Sequence, residues 1–167
     1  YYFKESLKAY ENTENIPYSL NDIGKTYTKE GRYNLAEEYH KKALSFAIKL
    51  NLQLDIVQSY LGLGETFYKK GNYKLALNAY QKAQTSAYDI SLKKELKDAY
   101  LGLAITYAAL KDVYKAFNFQ TLYTNIKDTL INLDIAQKVT KLKTNFEIQK
   151  KQGQIDILTR DKALQNM

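Results

Sequence analysis

The stretch YLGLGETFYKKGNYKLALNAYQKA, residues 60–83, decides how this chain folds. Tyr60, Leu63 and Phe67 recur at helical spacing. Lys70-Gly71-Asn72 follows as a turn, where glycine can take the left-handed backbone that ends a helix. A second periodic run then begins at Tyr73. The same text stands forty residues upstream and, worn, forty residues downstream. Gly64 aligns with Gly24 and Ala104, and Leu63 with Ile23 and Leu103. Tyr60 pairs with Leu20 and Tyr100, and Phe67 with Tyr27 and Tyr107. Gly71 falls beside Gly31 and Lys111, and Tyr73 beside Tyr33 and Val113. Ala76 matches Ala36 and Ala116, and Ala83 matches Ala43 and Tyr123. Coincidences this dense at one period mark an internal repeat, which fixes the fold class before any single residue is weighed.

Each unit holds two helical stretches. The small residues at 24, 64, 104, 36, 76 and 116 allow paired helices to approach closely while Tyr and Phe rings fill the gaps. The second helix is expected to start at a capping residue: Asn34 with Glu37 three positions on, Asn72, or Asp112. Neither helix can bury its apolar face alone, so neighbouring units must stack. The pattern Leu20-x-x-Ile23-Gly24-x-x-Tyr27, Gly31-x-Tyr33-x-x-Ala36, Ala43 resembles the tetratricopeptide repeat over about residues 18–130. Its forty-residue period is similar to the longer variety with extended helices. Ile48 and Tyr88 stand where the shorter repeat carries proline. The fold this implies is an all-α solenoid of antiparallel helix pairs with a long C-terminal helix.

The expected boundaries are three repeats at about 17–56, 57–96 and 97–130, with Pro17 opening the first helix, where a missing N–H costs little. Residues 1–16 read as the second helix of a preceding, truncated repeat. The start Tyr1-Tyr2-Phe3, without initiator Met or signal pattern, reads as a cut inside a longer protein. The third repeat has drifted: Lys111 replaces glycine, Val113 tyrosine, and Gln120 an expected aromatic or histidine.

Residues 131–167 stop repeating. If helical over 131–165 they span roughly 50 Å at about 1.5 Å per residue. Ile135, Val139, Leu142 and Phe146 form a narrow apolar stripe that shifts, through Ile148, to Ile155 and Leu158. The first half is expected to close the repeat stack, and the second to pair with another copy of itself. Gly153 weakens the helix between the two. This segment also resembles the one that follows tetratricopeptide repeats in bacterial signalling proteins. The match lies at Lys127-Asp128-Thr129-Leu130, Ile135-Ala136, Leu142, Phe146-Glu147, Lys150-Lys151 and Ile155-Asp156-Ile157-Leu158. The resemblance implies the sensor region of a two-component histidine kinase, membrane-anchored, with the repeats on the periplasmic face of the inner membrane. It implies a homodimer joined through the C-terminal helix. The alternatives are a cytoplasmic regulator with a helix-turn-helix output and a stand-alone adaptor.

Chemistry is harder to find. The net charge is +7 over 167 residues. Residues 1–58 and 99–134 balance; the excess lies in 59–98, seven basic against four acidic, and in 135–167, seven against three. Lysines dispersed among carboxylates, with only Arg32 and Arg160 as arginines, describe a solvated helical surface rather than a phosphate-tracking groove. No nucleic-acid partner is expected of this region. Without cysteine and with one histidine, disulfides are excluded, and no metal site or cofactor is expected. His40 sits where the repeat places an aromatic packing residue, and Lys41 follows it, not the acidic neighbour of a phosphoacceptor. YLGLGETF lies within a helix, so its glycines are packing positions and not a phosphate cradle. No catalytic residue is expected. The resemblance implies a concave groove lined by the first helices, which takes a peptide or protein, and its register carried onto this chain gives the inward-facing residues. The candidates are Tyr18, Asn21, Lys25 and Thr28, then Leu61, Glu65 and Tyr68, then Leu101, Ile105 and Ala108. Lys25, Glu65 and Ile105 do not make the clamp by which some family members hold a terminal carboxylate.

Overall fold

The computed structural model describes residues 15–165. Among them the chain forms six α-helices: α1 Ile16–Lys29, α2 Tyr33–Lys49, α3 Gln53–Lys69, α4 Tyr73–Asp89, α5 Lys93–Ala109 and α6 Val113–Gln165. The helix expected from a preceding repeat lies outside the described residues.

Every connection is the same three-residue turn, which explains the period. Arg32 N–H reaches back to the Tyr27 carbonyl at 2.9 Å and Gly31 N–H to Thr28 at 3.3 Å, the paired bonds of a Schellman motif. The pattern recurs at Leu52 to Ala47, Asn72 to Phe67, Leu92 to Ala87 and Asp112 to Tyr107. The motif needs one left-handed residue, filled by Gly31 and Gly71 with φ 75° and 82°, but by Asn51, Ser91 and Lys111 with φ 55°, 58° and 62° elsewhere. Asn51 and Ser91 gave no glycine punctuation, so α3 and α5 begin at Gln53 and Lys93, about four residues before the expected boundaries.

The capping expectation is corrected. Asn34 lies inside α2, whose N-cap is Arg32, and Asn72 occupies a cap position without a side-chain bond. Only Asp112 caps with its side chain, its Oδ1 accepting the Lys115 N–H at 3.1 Å. The turn is the reason: the residue that closes one helix also opens the next, so Ala36, Ala76 and Ala116 donate to the carbonyls of Arg32, Asn72 and Asp112. Where that residue is Leu92 it packs into the core beside Ala87.

The chain separates into two compact units, up to Lys127 and from Asp128 onward, and α6 contributes to both. In the first unit α1 packs on α3 and α3 on α5, besides the consecutive pairs from α1 to α5. The first helices therefore form an inner layer, with α2, α4 and the start of α6 outside. Leu63, Phe67, Leu103 and Tyr107 make the central core with Ala76, Ala79 and Tyr80. Phe119 of α6 stacks on Tyr107, centroids 5.6 Å apart and planes 5° from parallel.

Two rings lock these layers together. His40 of α2 enters a slot between Gly24 and Gly62, and Tyr80 of α4 enters the equivalent slot, one period on, between Gly64 and Gly102. A Cβ on Gly24 would lie 2.7 Å from the imidazole, and one on Gly64 would lie 2.7 Å from the tyrosine ring. In the third unit Ala104 takes the place of glycine, and Gln120 that of the ring.

In the second unit α6 continues past residue 130 and through Gly153 without a break. Gln152 Nε2 donates to Asp156 Oδ1 at 2.9 Å across that glycine.

Candidate functional site

The inner layer forms an open cavity of about 450 Å³ along α1, α3 and α5. Its apolar walls are Leu61 on α3 and Leu101 and Ile105 on α5, with Tyr68 alongside. Lys25, Glu65 and Lys69 bring charge from one side, and Glu95 and Asp98 from the other. Gln58 completes the α3 edge. The glycines at 62 and 102 thin the floor, and Tyr80 reaches the cavity from the outer layer through the slot between Gly64 and Gly102.

Of the residues expected in the groove, Lys25, Leu61, Glu65, Tyr68, Leu101 and Ile105 line this cavity. Tyr18 and Ala108 are exposed but do not border it. Asn21 and Thr28 are corrected: both are buried on the faces of α1 that pack against its neighbours. Thr28 shares a 2.8 Å hydrogen bond with Thr66. Asn21 Nδ2 donates to Ser59 Oγ at 2.9 Å, leaving its Oδ1 to accept from His40 Nδ1 at 2.9 Å. That fixes the imidazole proton on Nδ1, so Nε2 is an acceptor, buried and without a partner. Burial, with the Lys25 charge adding to it, holds the His40 pKa down at about 4, so the ring is neutral.

Sequence reading missed Gln58, Lys69, Tyr80, Glu95 and Asp98. A signal existed for four of them: 58, 61, 65 and 69, and 95, 98, 101 and 105, each follow one helical stripe. Tyr80 belongs to an outer helix, and only the slot reveals its reach.

Charge in the groove is arranged unevenly. Lys69 pairs with Glu65 at 3.0 Å, Lys25 with Asp22 at 3.3 Å, and Asp98 with Lys97 at 3.0 Å. Glu95 is half-buried and has neither ion pair nor hydrogen bond among the described residues. Burial pushes the Tyr80 hydroxyl well above the ordinary tyrosine range, with Glu65, Tyr68 and Asp98 adding to it, so it remains protonated. Outside the groove, Glu37 bridges Lys41 at 2.7 Å and Lys70, in the turn after α3, at 3.1 Å, tying adjacent repeats.

In the second unit Ile135, Val139, Leu142 and Phe146 are all exposed, from 44% for Val139 to 68% for Leu142, as are Ile155 and Leu158. Among the described residues no His, Cys, Asp and Glu cluster could hold a metal, and no helix is long and apolar enough to cross a membrane.

Antiparallel pairs with one repeating turn, stacked so that first helices line a concave floor, define a tetratricopeptide-repeat α-solenoid. Residues 12–89 match the family model for the tetratricopeptide repeat, a span that ends on the last residue of α4. Among solved structures the chain is similar to the tetratricopeptide-repeat domain of Arabidopsis FLU, with a TM-score of 0.66 and 24% identity. That likeness covers 70% of this chain and 98% of the FLU domain. No curated protein matches the chain.

Proposed function

We propose that this chain is a non-catalytic interaction module that takes a peptide or protein cue in its inner groove and relays occupancy through α6. The observation that carries the reading is the apolar cavity between α3 and α5, open along the face of the inner helices. A ligand pressing on Leu101 and Ile105 loads α5, where Tyr107 stacks on Phe119 of α6. The same helix carries the exposed stripe Ile135, Val139, Leu142, Phe146, Ile155 and Leu158, which suits pairing with a second copy. The parent is a bacterial two-component sensor histidine kinase, anchored in the inner membrane with the repeats on its periplasmic side. Support for that context is the resemblance of residues 127–158 to the segment joining such repeats to their output.

A photo-crosslinking residue placed at Ile105 tests the groove, with Leu75 on the outer helix α4 as control. Partner adducts at Ile105 and none at Leu75 are expected; the reverse sinks the groove reading. The gene beyond residue 167 tests the context: an apolar span of about 20 residues followed by a kinase is expected, and a helix-turn-helix domain there contradicts it.

A further inference from the structure

Tyr80 is 5% exposed, yet its hydroxyl has no hydrogen-bond partner among the described residues and it lines the groove. Among the described residues the one fully buried side-chain polar atom without a partner is His40 Nε2, so the Tyr80 hydroxyl is open to the groove and free to pair with a group that enters it. Glu65 and Asp98 flank it closely enough to disfavour its ionisation, and Glu95 stands unpaired on the same wall. The groove thus carries three carboxylates against Lys25 and Lys69, within a chain of net charge +7.

Resting on the groove being the binding face, we propose that it selects a peptide segment carrying a lysine or arginine beside bulky aliphatic residues. The aliphatic side chains lie on Leu61, Leu101 and Ile105. The cationic head enters between Glu65 and Asp98, where the Tyr80 oxygen accepts one of its N–H groups and the carboxylates accept the others. Charge-assisted bonds of this kind, shielded by apolar walls, are stronger than the same pair on an open surface. A terminal carboxylate is disfavoured by the same groups.

A random peptide library displayed on phage, selected on the full chain at physiological salt, supplies the probes. Enriched peptides should carry Lys or Arg next to Leu, Ile, Val or Phe. Replacing that cation with norleucine in the best peptide should weaken binding about tenfold, read by fluorescence anisotropy. Tyr80→Phe keeps the ring in its slot, and Glu65→Gln with Asp98→Asn keeps side-chain size. Each change should weaken the cationic peptide about fivefold and leave the norleucine peptide unchanged. Enrichment of acidic or uncharged peptides, or of the chain's own segment 138–152 used as a competitor without dependence on Glu65 and Asp98, overturns the proposal. So does a cation whose contribution survives the carboxamide variants. Peptides that bind Leu101→Arg as well as the native chain defeat the groove reading itself, whereas groove-dependent binding indifferent to charge defeats only this inference.

Discussion

Gly64→Ala should destabilise this protein, against the ordinary rule. In a helix interior alanine is better than glycine by about 1 kcal/mol, because it restricts the unfolded backbone and costs no rotamer freedom. At Gly64 the new methyl would stand 2.7 Å from Tyr80 Cδ1, where ordinary contact begins near 3.4 Å. The ring has little room to retreat, because Gly102 crowds it more closely still. Overpacking of a closed core costs about 1–3 kcal/mol; set against the propensity gain, the net loss is about 1 kcal/mol. Tyr80→Leu empties the slot, and in that background Gly64→Ala should recover its gain, giving a coupling of about 2 kcal/mol in a double-mutant cycle. Urea unfolding followed by far-ultraviolet circular dichroism measures all four proteins. Gly153→Ala is the control: a Cβ there meets nothing within 4 Å, so the substitution should raise helicity. If Gly64→Ala stabilises the native chain as an exposed helical glycine would, the ring-in-slot argument is refuted.

Three further outcomes follow from the structure. The unfolded chain protonates His40 near pH 6.5, while the fold, which buries the ring and adds the Lys25 charge, refuses the proton until about pH 4. Unfolding therefore takes up a proton across that window, and stability should fall as pH drops through it by ~1.4 kcal/mol per pH unit; His40→Gln should flatten this slope in urea titrations. Lys111→Gly should raise the unfolding free energy by roughly 1 kcal/mol, since it relieves a lysine at φ 62°, whereas Gly71→Ala should lower it. If the exposed stripe of α6 pairs with a second copy, sedimentation should show a dimer that Leu142→Glu with Phe146→Glu converts to monomer; equal mass for both proteins would discard the pairing.

The repeat was legible because it rests on volume. Small residues at 24, 64 and 104 and rings at 27, 67 and 107 recur at one spacing, since every turn is the same three-residue Schellman motif. Repeat boundaries were less legible, because left-handed backbone at Asn51 and Ser91 carries no glycine to announce it. The helix starts were misread at Asn34 because a turn that hands one helix directly to the next satisfies its first N–H groups with backbone carbonyls. In the groove, the register carried over from the resembled repeat found Leu61, Glu65, Leu101 and Ile105, but α1 packs more tightly than that register indicates, burying Asn21 and Thr28. Tyr80 could not be found by face assignment at all, since it crosses from one layer to the other where Gly64 and Gly102 leave room. The glycine at both 64 and 102, with alanine at 104 only where Gln120 replaces the ring, was the available clue.

The claim on which the rest depends is that partners bind to the inner layer. Amide hydrogen exchange on the full chain, with and without a saturating selected peptide, addresses it directly. Added protection should concentrate on residues 58–69 of α3 and 95–105 of α5, with the outer helices α2 and α4 unchanged. Protection confined to α2 and α4, or to residues 128–165, would contradict it.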